Sequence, residues 1–241
     1  MNVNRREFLA VSAVLGAAAA LTPKLGGASS WFGGSKSGGE PLSGLQILRS
    51  AQPEPEAFEK GLRSALQVAG VDLSKVGAQT LSGKMSWKDW QALTAMAPGT
   101  VLVGMVTEAE FVLVNEIFRE TGARVLSQGT HLAGDTEHSR HAFTTTDSSA
   151  GLGSAFAQWL KQGQQNALVQ ETSTRKGALA LPRAQKAEAP DGDWSEMLGR
   201  ALAKVALGRW EPAKIESRIQ IGTGDAFSAP KAGFVSFVAS V

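Results

Sequence analysis

Val101-Leu102-Val103-Gly104-Met105-Val106 is an unbroken apolar run, and Thr107-Glu108-Ala109-Glu110 follows it without a gap. A strand covered by helices on both faces reads as such a run, not as an alternation. Thr107 can accept from backbone N–H groups at a helix start, and Glu110, three positions on, can reach back to do the same. The spacing predicts a capping box. Phe111, Val114, Ile117 and Phe118 then recur at helical spacing, and Gly122 can end the helix. Ala123 to Ser127 reads as the next strand. One strand–helix–strand unit is therefore written into residues 101 to 127.

Upstream the same rhythm repeats. Leu45 to Leu48 is a short strand, and Pro53, Glu54, Pro55 and Glu56 open a helix, since proline suits a first turn and acids suit the positive end of the helix dipole. Phe58, Leu62, Ala65, Leu66 and Ala69 carry its apolar face, and Gly70 can close it. Val76 to Leu81 is a second strand. Ser86-Trp87-Lys88-Asp89 is a further capping box, and its helix runs through Trp90, Leu93 and Ala97 to Pro98-Gly99. Trp87 and Trp90, three apart, are expected in the core. Alternation of this kind predicts an α/β fold: a mainly parallel, doubly wound (Rossmann-like) sheet over residues 45–163.

Downstream of Ser127 the pattern loosens. Gln128 to Arg140 reads as a polar loop, His141 to Thr145 as a strand, and Asp147-Ser148-Ser149 as the cap of a helix bearing Leu152, Phe156, Trp159 and Leu160. Residues 164–241 read as a C-terminal α+β extension packed on the same domain. Ala167–Gln170 and Ala178–Leu181 suggest a hairpin, and 182–193 a linker. Asp193-Trp194-Ser195-Glu196 starts an amphipathic helix reaching Trp210 before Pro212. Ile215–Ile221 and Phe234–Val238 are expected to pair as closing antiparallel strands. An exposed apolar face on the Trp194–Trp210 helix would be a docking surface.

The chain has 241 residues, a formal charge of +2 and no cysteine. Without cysteine there is no iron–sulfur cluster, no covalent haem, no disulfide and no thiolate zinc site. The near balance of charge gives no basic field for nucleic acid. Six tryptophans and ten phenylalanines supply a packed core.

All three histidines fall within eleven residues: His131, His138 and His141, with Asp135 and Glu137 among them. Imidazole and carboxylate ligands suit a divalent transition metal. One helical turn would put His138 and His141 on one side, and His131 would follow directly after the fourth strand. Ligands of open α/β sheets bind outside the carboxyl ends of the strands, and Ser50, Ser82 and Thr107 follow the other three. Asp147 or Glu137 could serve as a base, but no P-loop, GxGxxG or nucleophile elbow accompanies them.

The amino terminus reads Asn4-Arg5-Arg6-Glu7-Phe8-Leu9-Ala10, followed by an apolar segment from Ala10 to Leu21. That segment is shorter than the ~20 residues a membrane-spanning helix needs. Small residues follow, and Gly26-Gly27-Ala28 fits a cleavage site. Arg5, Arg6, Phe8 and Leu9 resemble a twin-arginine (Tat) export signal. The resemblance makes residues 1–28 a signal peptide and 29–44 a flexible linker rich in glycine and serine. It implies passage through the Tat translocon in a folded state and residence in the periplasm, or retention at the membrane if the signal stays uncleaved. Tat cargo often carries a cofactor or travels with a partner that does, such as a redox-enzyme subunit.

Residues 99–160 are similar to part of one lobe of a type I periplasmic solute-binding protein, through Val103-Gly104-Met105-Val106-Thr107-Glu108, Thr121 to Ser127 and Ala142 to Asp147. This resemblance implies Thr107 and Ser127 as ligand-binding positions. Together these readings predict an exported, non-catalytic accessory or small subunit, or a binding protein. A metal-binding periplasmic enzyme using the histidine cluster and a periplasmic solute-binding protein are the alternatives.

Overall fold

The computed structural model describes residues 44–81, 86–133, 138–163, 166–174, 193–211, 218–221 and 232–241. The signal-like residues Arg5, Arg6, Phe8 and Leu9 and the glycine-rich linker lie outside them, as do Asp135, Glu137 and Ala178–Leu181.

The fold is α/β. Its strands are β1 (Leu45–Ser50), β2 (Val76–Leu81), β3 (Val101–Thr107), β4 (Arg124–Ala133), β5 (His138–Thr145), β6 (Asn166–Ser173), β7 (Arg218–Ile221) and β8 (Ala232–Ser240). They form one eight-stranded sheet in the order β2-β1-β3-β8-β4-β5-β6-β7. Strands β1 to β4 and β7 run one way, and β5, β6 and β8 the other. The helices are α1 (Pro53–Val68), α2 (Trp87–Thr94), α3 (Glu108–Thr121), α4 (Leu152–Gln162) and α5 (Trp194–Ala206).

Both sides of the sheet carry helices. Apolar residues of α1, α4 and α5 pack with Ile47, Val103, Phe143 and Val169 on one face. Those of α2 and α3 pack with Leu48, Leu102, Val106 and Phe237 on the other. Strand β3 lies between the two, and its residues Val101 to Val106 are all buried, as its unbroken apolar run requires. Both predicted capping boxes form, at Ser86–Asp89 and Thr107–Glu110. Gly122 ends α3 with φ at 69°.

Several expectations are corrected. The closing strands do not pair with each other: β7 pairs with β6, while β8 inserts between β3 and β4. Strand β6 pairs parallel with β5 along its length. The described part of the expected polar loop after Ser127 is strand: β4 continues to Ala133 and β5 already begins at His138. Asp147–Ser149 form a separate 3-10 turn, and α4 starts later, from Gly151. Helix α2 stops at Thr94, and its Trp87 is 72% exposed while Trp90 packs on the core.

The Trp194–Trp210 helix ends at Ala206, two residues before Gly208 turns left-handed. Its apolar face is not a docking surface. Met197, Leu198, Ala201, Leu202 and Val205 are buried against α1, α4 and the sheet. Two glycines let α1 and α5 close on each other: a Cβ on Gly61 would press into the Glu196 carbonyl, and one on Gly199 into the Phe58 carbonyl. The glutamate beside this crossing accepts from Arg200 at 2.8 Å and Lys60 at 3.0 Å, and these bonds, Arg200 first, hold its pKa below the usual range.

Candidate functional site

Three polar clusters interrupt the core. Strands β4, β5 and β8 build the first. Register sets His131 directly opposite His141, and the strand period of two turns both rings toward α5. Their Nδ1 atoms are 2.9 Å apart. His131 Nε2 lies 2.7 Å from Ser236 Oγ on β8, and His141 Nε2 lies 2.7 Å from Ser139 Oγ on β5. All four side chains are buried. Phe143, Phe156 and Trp194 surround the rings, with centroids 5.0 to 5.5 Å from one or the other.

Proton counting fixes the chemistry of this chain. A neutral imidazole has one donor and one acceptor nitrogen. One ring must donate from Nδ1 to the other ring's Nδ1. The accepting ring then carries its proton on Nε2 and donates it to its serine. The donating ring's bare Nε2 accepts from the other serine hydroxyl. One proton on each ring thus satisfies all four nitrogens; an extra proton on the accepting ring would set two N–H groups against each other, and one on the donating ring would turn its serine from donor to acceptor and leave a charge buried. Burial pushes both rings toward the neutral form: His141 falls to about 3, and His131 well below its usual value, helped by the neighbouring His141.

Gly129 makes room for this arrangement. A Cβ there would lie 2.7 Å from His131 Nε2 and 2.8 Å from Ser236 Oγ. Any larger residue would occupy the place where ring and hydroxyl meet.

The second cluster sits where the sheet's winding reverses. Helix α1, after β1, covers one face, and α3, after β3, covers the other. The crevice between the carboxyl ends of β1 and β3 is thus a topological switch point, the usual ligand position in such sheets. Here the chain fills it. Ser50 Oγ donates to the Glu110 carboxylate, and the Thr107 N–H donates to Ser50 Oγ at 2.8 Å. Thr107 Oγ1 donates to Glu110 Oε2 at 2.9 Å. The positive end of α3 already holds an anion, its own Glu110.

Glu171 is the centre of the third. The α4 start has glycine as N-cap and no capping side chain of its own. Glu171, reaching from β6, accepts from the N–H groups of Gly151 at 2.8 Å and Ser154 at 3.0 Å, and from Thr145 Oγ1 at 2.9 Å. It is a cap supplied by a neighbouring strand.

The expected site residues divide accordingly. His131 and His141 meet, but inside strands and not in a loop. His138 opens β5, so the helical turn expected to align it with His141 does not exist, and a period of two removes the reason for pairing residues three apart. Asp135 and Glu137 lie outside the described residues. Among the described residues no group of three or more histidine, aspartate or glutamate side chains is placed to hold a metal ion.

Thr107 and Ser127 lie on β3 and β4, on either side of β8. They pair with Phe234 and Val238 of β8, four residues apart, which separates them by ~13 Å along the sheet. Sequence reasoning passed over Ser139, Ser236 and Glu171, while Ser50 was expected at the end of its strand, where it lies. For Ser139 the signal was its two-residue spacing from His141, legible once that segment is read as a strand. A depression of about 240 Å³ is lined by Thr130, Leu132, Arg140, His141, Ala142, Leu168 and Gln170.

No family model, curated protein or solved structure matches the chain. Among the described residues no helix is long and apolar enough to cross a membrane.

Proposed function

We propose that the chain is a Tat-exported periplasmic protein of non-catalytic type, an accessory or small subunit or a binding protein that works beside a cofactor-bearing partner. The observation that carries this reading is Arg5-Arg6-Glu7-Phe8-Leu9 ahead of a short apolar segment, in a chain without a single cysteine. The fold is compatible with it. Its buried histidines, Glu110 and Glu171 are engaged with internal partners.

The test is fractionation of the native host carrying a tagged chain. Export of the unaltered chain, lost in Arg5→Lys/Arg6→Lys, is the expected result. Equal periplasmic amounts of both would overturn the export step. A periplasmic chain that purifies alone, with no stoichiometric partner, would overturn the accessory role. The metal-binding alternative keeps His131 and His141 in contact, and elemental analysis of protein from the same fraction tests it: stoichiometric metal, lost in His131→Ala, would favour it over the accessory reading.

A further inference from the structure

Residues two apart on a strand share a face, and register brings three such pairs together on β4, β5 and β6. Thr130, Ala142 and Gln170 form one cross-strand row, and Leu132, Arg140 and Leu168 form the next. Arg140, Ala142 and Gln170 are exposed and the other three half-buried, so this part of the sheet is open. These residues line the depression of about 240 Å³.

Ala142 gives the depression its depth. It has the smallest side chain of the two rows, and it stands between Thr130 and Gln170 in its own. Arg140 is the one charged side chain of the lining other than a neutral-held imidazole. Among the described residues of β4, β5 and β6 no carboxylate shares this face. Glu171 stands at the alternate position and is spent on capping α4. The local field is therefore positive and draws an anion. A guanidinium has five N–H donors in a fixed fork, so it can take a carboxylate through two of them and keep other contacts. Thr130 and Gln170 lie two strand spacings apart, ~10 Å between Cα atoms, and each can donate and accept. The volume is below the ~300 Å³ at which sites for drug-sized molecules begin, so the occupant is small.

We infer that the depression over Ala142 binds a short hydroxy- or keto-carboxylate, with its carboxylate on Arg140 and its second oxygen group between Thr130 and Gln170. A simple anion such as sulfate would engage Arg140 and leave that row unused, and a cation would be repelled. The inference gives a ligand class to the binding-protein form of the reading above and rests on that form. It is tested on the purified chain, so it can fail while export stands.

The experiment is titration of the full chain with lactate and with pyruvate, followed by amide chemical shifts. Saturating shifts at Thr130, Ala142 and Gln170 are expected. Propionate, which lacks the second oxygen, should bind ~5-fold more weakly, the worth of one modest hydrogen bond. Arg140→Gln should weaken lactate at least ~10-fold, since a charge-assisted pair is lost. Ala142→Leu fills the depression and should abolish the shifts. Its position is exposed, so its melting temperature should stay close to that of the unaltered chain, which separates a filled site from a lost fold. The inference is overturned if neither lactate nor pyruvate gives saturating shifts, or if the shifts survive Ala142→Leu. It is also overturned if sulfate at the same ionic strength reproduces them, which would mark a diffuse attraction to Arg140.

Discussion

His131 and His141 face each other Nδ1 to Nδ1 at 2.9 Å, buried between three strands and an aromatic wall. Two neutral rings in opposite tautomers satisfy this geometry, and burial opposes a charge on either. The cluster therefore links the stability of the fold to pH.

The sign follows from where the protons go. In the folded chain both rings stay neutral far into the acid range, His141 to about 3. In the unfolded chain an imidazole takes up a proton below ~6.5. Between these values the unfolded chain binds more protons, so stability is fully present above the unfolded value and is lost as pH falls toward the folded ones. The slope is up to ~1.4 kcal/mol per pH unit for each ring. Urea denaturation at several values from pH 7 to pH 4 should show it. His131→Leu/His141→Leu removes both groups and should flatten the slope. An unchanged slope in that variant would assign acid sensitivity elsewhere.

Gly129→Ala tests the packing of the same cluster. The added methyl would fall on His131 Nε2 and Ser236 Oγ, both held by rigid strands. Overpacking of this kind costs ~1–3 kcal/mol. Ser236→Ala keeps the space but leaves a buried ring nitrogen unpartnered, at a similar cost of ~1–3 kcal/mol. Both should lower the denaturation midpoint. A neutral Gly129→Ala would mean that the ring does not sit where the geometry has it.

What was legible in the sequence was what neighbours in the chain decide. The apolar run of β3, the Thr107–Glu110 box and the turn at Gly122 are local, and they carried the α/β reading. Strand order was not, because the place of β8 between β3 and β4 depends on pairings about a hundred residues apart or more. That same pairing brings Ser236 to His131, so the cluster could not be assembled from spacing. The Gln128–Arg140 stretch read as a loop because its glycine and polar residues look like punctuation. In the fold Gly129 is a space for a ring, and His131 and Ser139 bond within the buried cluster. The Trp194–Trp210 face looked free because its partner, α1, lies far back in the sequence.

Glu171 should behave as the N-cap of α4. Its removal strands the Gly151 and Ser154 N–H groups and the Thr145 hydroxyl in a buried place. A lost cap costs ~1 kcal/mol, and each buried unsatisfied donor ~1–3 kcal/mol. Glu171→Ala should therefore destabilise by several kcal/mol and loosen α4 first, visible as faster amide exchange at Ser154 to Phe156. Glu171→Gln retains one acceptor oxygen and should lose less. Equal losses from Ala and Gln would show that the carboxylate's charge, not its acceptor count, holds the helix.

Gly61 and Gly199 give a prediction whose sign depends on packing against propensity. Each is a buried glycine inside a helix, and alanine in such a place normally gains ~0.8–1 kcal/mol in helix propensity. Here the methyl of Gly61→Ala would meet the Glu196 carbonyl, and that of Gly199→Ala the Phe58 carbonyl. Both obstacles are backbone and cannot rotate away, so α1 and α5 must move apart. Overpacking costs ~1–3 kcal/mol and exposes part of the Phe58, Leu62 and Leu202 contact as well. Packing should win, with each variant destabilised by ~1–2 kcal/mol net of propensity. The two methyls act on one crossing, so the double variant should lose less than the sum, since the first already parts the helices. Thermal melts of the single and double variants measure this. A rise in melting temperature for either single variant would place the two helices farther apart than their glycines imply.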